Sequence, residues 1–274
     1  MVMAASLSCC AWGAAAHDTW FEPLPPSRAG ERHLALATGD RFPTQEFAID
    51  PRYLVRQGCR GTSPGSVGTM RAQRTTDTAL VLRAPVSART CWAQLTPFEL
   101  TLEADKVPVY LKEINASAEL RATWAAMEAR GLAWKETYTK HARINLGEVS
   151  AMSAEPSGMA VDMLLLSAPG PLRVRDTVVV QVLRDGLPLA GFNVEWRSEL
   201  SPVGIWRQTD DYGRVALQLP LAGRWILRGT DLAPSTSRPD EWESRFVTLA
   251  FEVARAEVAP AVPPPDSSSA GRGP

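Results

Sequence analysis

The chain of 274 residues lacks several features that would define a functional class. Its net charge is −1 with no basic stripe, so we expect no nucleic-acid partner. No apolar run approaches the roughly 20 residues that a membrane-spanning helix needs. No Walker loop, dinucleotide fingerprint or G-x-S-x-G elbow is present, which argues against the nucleotide sites and serine-hydrolase sites that carry these motifs.

Histidine is scarce, and one of the three histidines stands at an informative place. A short apolar run ends at Ala14, Ala15 and Ala16, and His17 follows. Small residues in this arrangement are typical of a secretory cleavage site. We therefore predict a signal peptide over residues 1–16, a mature protein that begins at His17, and a periplasmic location.

The predicted signal peptide departs from the usual pattern, because residues 1–16 contain no Lys or Arg. Three alternatives stay open. The true start lies upstream, the segment is simply an apolar N-terminus, or Cys9 or Cys10 carries a lipid. A lipid-anchored chain would not have His17 as its first residue.

Only two of the four cysteines remain after cleavage, Cys59 and Cys91. An even count in an exported chain favours a disulfide. The bond would close a loop of about thirty residues and contribute about 3–4 kcal/mol by the chain-entropy model. The alternative is a pair of thiolate metal ligands, although neither cysteine belongs to a CxxC pair.

Short alternating segments separated by turns predict a mostly β fold of two β-sandwich domains. The first spans 17–167 and the second, Ig-like or transthyretin-like, spans 168–254. The tail, 255–274, is rich in Pro, Ala and Ser and is predicted to be disordered. The strand candidates are 33–38, 79–82, 98–103, 107–111, 177–183, 192–196, 214–219, 223–227 and 245–251.

One segment of the first domain has helical character. Residues 117–130 contain no Pro or Gly, and Leu120, Trp124 and Met127 fall on one helical face. Ser117 is a suitable N-cap, and Gly131 a suitable C-terminal stop. With Trp134 and Tyr138 in a second short helix, we predict a helical insertion near 117–141.

Three segments resemble a known family. Residues 17–23 (HDTWFEP) resemble the H-[DE]-x-W-[LIF]-E-P start of a bacterial periplasmic family, and 134–143 (WKETYTKHAR) resemble a second block of it. The turns at 186–191, 209–214 and 223–225 resemble its C-terminal unit and also carboxypeptidase-regulatory or transthyretin-like sandwiches. The family is a domain of unknown function linked with accessory components of energy-coupling-factor nickel uptake systems. The resemblance implies export, a β-rich fold and metal handling.

The candidate chemistry is a metal site at His17. Its free α-amine and imidazole, with the ring of His141, would form a three-nitrogen set of the histidine-brace kind, which suits Cu(II) or Ni(II). Asp18 and Glu22 could add oxygen ligands. The alternative is that His17 is simply an exposed first residue and His141 a packed, hydrogen-bonded core histidine.

The leading functional prediction is therefore a non-enzymatic protein that binds or delivers nickel or copper through His17 and His141. Its partner would be a membrane transporter or another cell-envelope protein. The second hypothesis is a structural or protein-interaction module without metal. The third is carbohydrate binding or cleavage, with some of the nine tryptophans lining a sugar-binding face. The turn at 210–213 has too few ligands for calcium and is predicted to be a hairpin turn.

Overall fold

The computed structural model describes residues 17–26, 28–62 and 65–255. The predicted signal peptide lies outside these residues, as does the predicted tail beyond residue 255. Within the described part, neither α-helix has the length and apolarity to cross a membrane. The fold is mostly β, as predicted.

The described residues form eighteen strands and two α-helices, with 3-10 turns at Pro51–Tyr53 and Ala151–Ala154. The helices are α1 (Val107–Glu113) and α2 (Ala118–Ala129). The strands are β1 (Asp18–Leu24), β2 (Arg32–Gly39), β3 (Phe47–Ala48), β4 (Leu54–Arg60), β5 (Val67–Gly68), β6 (Arg71–Thr75), β7 (Leu80–Ala84), β8 (Thr90–Leu95), β9 (Phe98–Leu102), β10 (Trp134–Asn145), β11 (Val161–Leu165), β12 (Thr177–Arg184), β13 (Leu187–Pro188), β14 (Asn193–Ser198), β15 (Ile205–Gln208), β16 (Arg214–Gln218), β17 (Gly223–Pro234) and β18 (Trp242–Val253).

These strands make three sheets. The N-terminal sheet has the order β1-β2-β7-β6, with β3 beside β2. The central sheet has nine strands in the order β15-β14-β17-β18-β10-β8-β4-β5, with β9 beside β10. The C-terminal sheet has the order β11-β12-β13, with β16 also paired to β12.

The central sheet is apolar on both faces. Side chains alternate along a strand, so Ala142, Ile144 and Ala250 join the core shared with the N-terminal sheet. Val247 and Leu249 join the core shared with the C-terminal sheet. The molecule is thus layered, and one sheet serves two cores.

Strands β10 and β18 join the two predicted domains. They pair in parallel, from Glu136 opposite Trp242 to Ile144 opposite Ala250. The central sheet therefore takes strands from both sides of the boundary predicted at 167/168. That boundary does not separate two sheets.

Helix α2 forms where the sequence predicts it. The Ser117 hydroxyl accepts a hydrogen bond from the Leu120 amide at 3.2 Å, and Gly131 has a φ of +77° just past the end. Trp124 and Met127 are buried in a third apolar cluster that also holds α1 and the start of β10. The cap, the stop and the apolar face are all confirmed.

Two local predictions are wrong. Residues 107–111, predicted as a strand, lie in α1, where Pro108 occupies the first turn and its fixed φ suits a helix. Trp134 and Tyr138, predicted in a helix, lie in strand β10. That strand is paired with β8 and β9 on one edge and with β18 on the other, so non-local hydrogen bonds determine its conformation.

The predicted disulfide is present. Cys59 and Cys91 are bonded and lie opposite each other in the β4–β8 register. Both are buried in the core beneath the N-terminal sheet. The bond therefore joins neighbouring strands of the central sheet.

Replacing both cysteines, Cys59→Ala with Cys91→Ala, should lower the free energy of unfolding by about 3–4 kcal/mol, because the unfolded chain regains the entropy of an open loop. Urea unfolding followed by tryptophan fluorescence measures the loss. Treating the wild-type protein with a reductant should produce a loss of similar size. Free thiols at Cys59 and Cys91 in the untreated protein, or an unchanged unfolding midpoint in the double variant, would contradict the assignment.

Candidate metal centre

The start of β1 and the end of β2 meet at one edge of the N-terminal sheet. The strands are antiparallel, and Asp18 lies opposite Gly39. His17 therefore lies beside Asp40, the residue that follows β2. The chain then turns through residues 40–46 into β3, which pairs back onto β2, and this return brings Glu46 to the same place.

His17, Asp40 and Glu46 form a compact group, named here the His17 cluster. His17 Nδ1 lies 2.6 Å from Asp40 Oδ1. The Asp40 amide donates to Glu46 Oε2 at 3.3 Å. One ligand atom from each residue lies within 4.8 Å of the others. Donor atoms that bind one ion, each about 2 Å from it, lie at most about 4 Å apart. A small movement of the loop at residues 40–46 toward His17 would therefore bring all three donors within reach of one ion.

The cluster is at the protein surface, but its imidazole is sheltered. The Asp40 side chain is 52% exposed and that of His17 is 22% exposed. The His17 ring packs edge-on against Phe47, with ring centroids 5.4 Å apart. Nδ1 is buried and, apart from the Asp40 carboxylate, has no polar partner among the described residues.

Three contacts hold the residues from His17 to Thr19 in place. Lys140 Nζ donates to the His17 carbonyl at 2.8 Å. Arg228 Nη1 lies 3.2 Å from Asp18 Oδ2, and the Thr248 hydroxyl donates to the Thr19 carbonyl at 2.6 Å. The first residues of β1 are therefore held against the central sheet, which limits the conformations open to His17.

Buried charges surround this attachment. Burial lowers the pKa of Lys140 to about 8, while the carboxylates of Asp18 and Asp40 raise it. Burial also raises the pKa of Asp18, against the opposing effect of the Arg228 guanidinium. Lys140 is thus easier to deprotonate than a solvated lysine.

His141 does not join His17. Lys140 reaches toward His17, and consecutive residues of a strand point to opposite faces, so His141 faces away from the cluster. It is 1% exposed. Its Nδ1 donates to the Phe246 carbonyl at 3.0 Å, and its buried Nε2 has no partner in the described part of the chain. This geometry matches the packed core histidine of the alternative prediction.

Asp18 and Glu22, the predicted oxygen ligands, form ion pairs outside the His17 cluster. Asp18 pairs with Arg228. Glu22 pairs with Arg224 and accepts from Gln45 at 2.8 Å. Neither carboxylate belongs to the His17 cluster.

The turn at residues 210–213 and the third histidine have local roles. Asp210 Oδ1 accepts from the Tyr212 and Arg214 amides at 2.9 and 2.8 Å, as expected for the predicted turn between strands. His33 lies near the opposite end of β2 from the His17 cluster, with Nε2 3.9 Å from Glu31 Oε2.

Sequence reasoning missed Asp40 and Glu46. Gly39 and Asp40 were recognisable as the end of a strand, but their nearness to His17 depends on the pairing of β1 with β2. An antiparallel assignment of these two strands would have placed the residue after β2 beside the residue before β1.

The fold and the cluster together define a layered β protein with a polar group at the start of its first strand. The family model "Domain of unknown function (DUF4198)" matches residues 14–230, and the chain belongs to that family. None of the curated proteins matches it. Native alpha-2-macroglobulin from Escherichia coli, in a crystal structure spanning domains MG0-NIE-MG1, aligns at 11% identity over 82% of this chain and 95% of that chain. The TM-score is 0.19, too low for any conclusion.

The buried His141 predicts acid sensitivity. Burial lowers its pKa from 6.5 to about 4, so the unfolded chain takes up a proton at a higher pH than the native protein does. Stability should fall as the pH drops from 6.5 toward 4. Relative to His141→Gln, the wild-type protein should lose about 2 kcal/mol of unfolding free energy between pH 7 and pH 5, measured by urea unfolding.

The matched control is His33→Gln, which removes a histidine from the N-terminal sheet and should keep the wild-type loss. An identical pH dependence in wild type and His141→Gln would show that His141 does not carry the effect.

Proposed function

We propose that the mature protein begins at His17 and binds one Cu(II) or Ni(II) ion there, as a non-enzymatic periplasmic protein that holds or delivers the metal. The observation that carries the proposal is the position of His17 Nδ1 beside two carboxylates, Asp40 and Glu46.

The chemistry of an N-terminal histidine favours this atom. A metal bound by the α-amine and Nδ1 closes a six-membered ring through Cα, Cβ and Cγ, whereas Nε2 points away and cannot close it. Nδ1 is the nitrogen that faces Asp40. A free α-amine has a pKa of about 8 and loses its proton readily to a bound metal. Cleavage after Ala16 would supply that amine.

The full ligand set differs from the three-nitrogen set predicted from sequence. The two nitrogens of His17 remain, and the oxygens of Asp40 and Glu46 replace the ring of His141. Mixed nitrogen and oxygen donors in a tetragonal arrangement suit Cu(II) and Ni(II). Two carboxylates also balance the charge of a divalent ion.

The location of the cluster favours delivery over permanent storage. Asp40 is about half exposed, and the loop that carries both carboxylates lies at a sheet edge, so a partner protein has access to the ion. The resemblance to nickel-uptake accessory proteins makes nickel the natural cargo and a membrane transporter the natural recipient.

A second candidate is a structural or interaction module of the cell envelope. Strand β6 is exposed along its whole length and forms an edge of the N-terminal sheet. Such an edge can accept a strand from another protein. This function would not depend on which residue precedes His17.

Calorimetric titration distinguishes the two functions. Protein that begins at His17 should bind Cu(II) or Ni(II) with one-to-one stoichiometry. A version with one Gly before His17 should lose the tight binding, because the chelating amine becomes a peptide nitrogen. Equal binding in both versions would overturn the N-terminal chelate, and absence of binding would favour the interaction module.

The carboxylates are tested by substitution. Asp40→Asn should weaken metal binding about tenfold, since a neutral amide is a poorer ligand for a divalent ion. Asp77→Asn is the matched control, because Asp77 is an exposed acid in the connection between β6 and β7 and its loss should leave the affinity unchanged. Equal affinities for the two variants would remove Asp40 from the site.

Gly39 offers a test of loop position. A Cβ at this residue would lie 2.9 Å from the Thr44 carbonyl oxygen and 3.3 Å from Glu46 Cδ. Gly39→Ala should therefore displace the loop and weaken metal binding about tenfold without removing any ligand. Gly30→Ala controls for backbone strain away from the cluster, because Gly30 has a φ of +81° that disfavours alanine and lies before the opposite end of β2. A Cβ there meets nothing within 4 Å, so this variant should retain the affinity for the metal. Titration of both variants makes the comparison, and wild-type affinity in Gly39→Ala would contradict the loop's role.

A further inference from the structure

A second candidate site lies in a cavity whose lining includes none of the residues of the His17 cluster. A cavity of about 420 Å³ opens between the N-terminal sheet and the central sheet, a volume typical of small-molecule sites. Apolar side chains form much of its wall. Its lining includes Phe21, Phe42, Leu146, Arg32, Glu22 and Arg224.

Arg32 occupies an unusual position in this wall. It begins β2, in which Leu34 and Leu36 point into the core and are fully buried. Strand alternation places Arg32 on that same inward face, and its register partner Ala84 is buried there too. A guanidinium thus stands where the pattern of the strand calls for an apolar side chain, a departure typical of functional positions.

The second arginine of the cavity is already neutralised. The Arg224 guanidinium contacts Glu199 Oε2 through Nε at 2.8 Å and Nη2 at 2.7 Å. Its Nη1 pairs with Glu22. Two carboxylates on one guanidinium leave no positive charge to attract a further anion.

Arg32 is not neutralised. No carboxylate of the described residues lies within ion-pair distance of it, and its Nε is buried without a hydrogen-bond partner. Burial and the nearby Arg89 both lower the pKa of its guanidinium. Arg89 approaches the cavity wall at Gly147, where a Cβ would lie 3.8 Å from Arg89 Nη1. Glu252, the remaining lining acid, is exposed to solvent.

We propose that this cavity binds a small organic carboxylate, with its carboxylate on Arg32 and its apolar part between Phe21 and Phe42. Holding the half-buried Arg32 guanidinium without a counter-charge costs free energy, so a bound anion would stabilise it. A guanidinium pairs with a carboxylate through two parallel hydrogen bonds. Because Phe21 and Phe42 line the cavity, we expect a ligand with an apolar body rather than a bare inorganic anion.

The cavity and the His17 cluster share one loop. Phe42 lines the cavity, and Gln45 donates a hydrogen bond to the lining residue Glu22. Asp40 and Glu46 of the same loop belong to the cluster. The proposed carboxylate site depends on Arg32 and not on a bound metal, so it can be tested with metal-free protein.

Benzoate is a suitable probe, because it combines a carboxylate with an aromatic ring. Calorimetric titration into metal-free protein that begins at His17 should give saturable one-to-one binding. Benzamide has the same shape without the charge and should bind about tenfold more weakly or worse. Inorganic phosphate should bind more weakly than benzoate. Equal affinities for benzoate and benzamide, or no saturable binding at millimolar benzoate, would overturn the proposal.

Substitutions locate the binding. Arg32→Gln should weaken benzoate binding about tenfold, while Arg83→Gln, which removes an exposed arginine from neighbouring β7, should not. Chemical-shift mapping on the wild-type protein does not depend on the folding of a variant. Benzoate should shift the amide signals of Leu146 and Gly147, and shifts confined to other parts of the protein would contradict the site.

Discussion

Strands β10 and β18 lie side by side in the central sheet, and most of their residues are buried, so the polar side chains buried there need partners within the protein. Three polar residues of β10 within positions 140–143 find partners in different directions. Lys140 reaches the His17 carbonyl, and His141 turns the other way to the Phe246 carbonyl. Arg143 pairs with Asp162 at 3.0 and 3.1 Å, both almost fully buried. The attachment of the N-terminus follows from this arrangement.

Sequence reasoning worked best where local chemistry determines structure. The Ser117 cap and the Gly131 stop are properties of a few neighbouring residues, and strands such as β12 are marked by their own composition. It failed in β10 because Trp134 and Tyr138 are four residues apart, a spacing that places two side chains on one face of both a helix and a strand. The pairing with β8, β9 and β18 decides between them, and that pairing is non-local.

The position of His141 relative to His17 also depends on non-local pairing. In strand β10, His141 points to the face opposite that of Lys140, which contacts His17. His17 itself was identifiable, because the small residues before it indicate cleavage. Asp40 and Glu46 were not, since nothing in their local sequence distinguishes them from other exposed acids. Their relation to His17 is a property of the β1–β2 register and of the loop into β3.

The hydrogen bond from Thr248 to the Thr19 carbonyl spans 229 positions of the chain. The first strand is thus anchored by the last one, and β18 also completes both cores. Contacts so distant in sequence form slowly, because a very large loop must close before they stabilise anything. The pairing of β1 with β2 needs only the chain up to Gly39, and the contact with Lys140 needs the chain up to β10. The attachment of β1 to the last strand can form only after β18 has been made, so it is a late event in the folding of this chain.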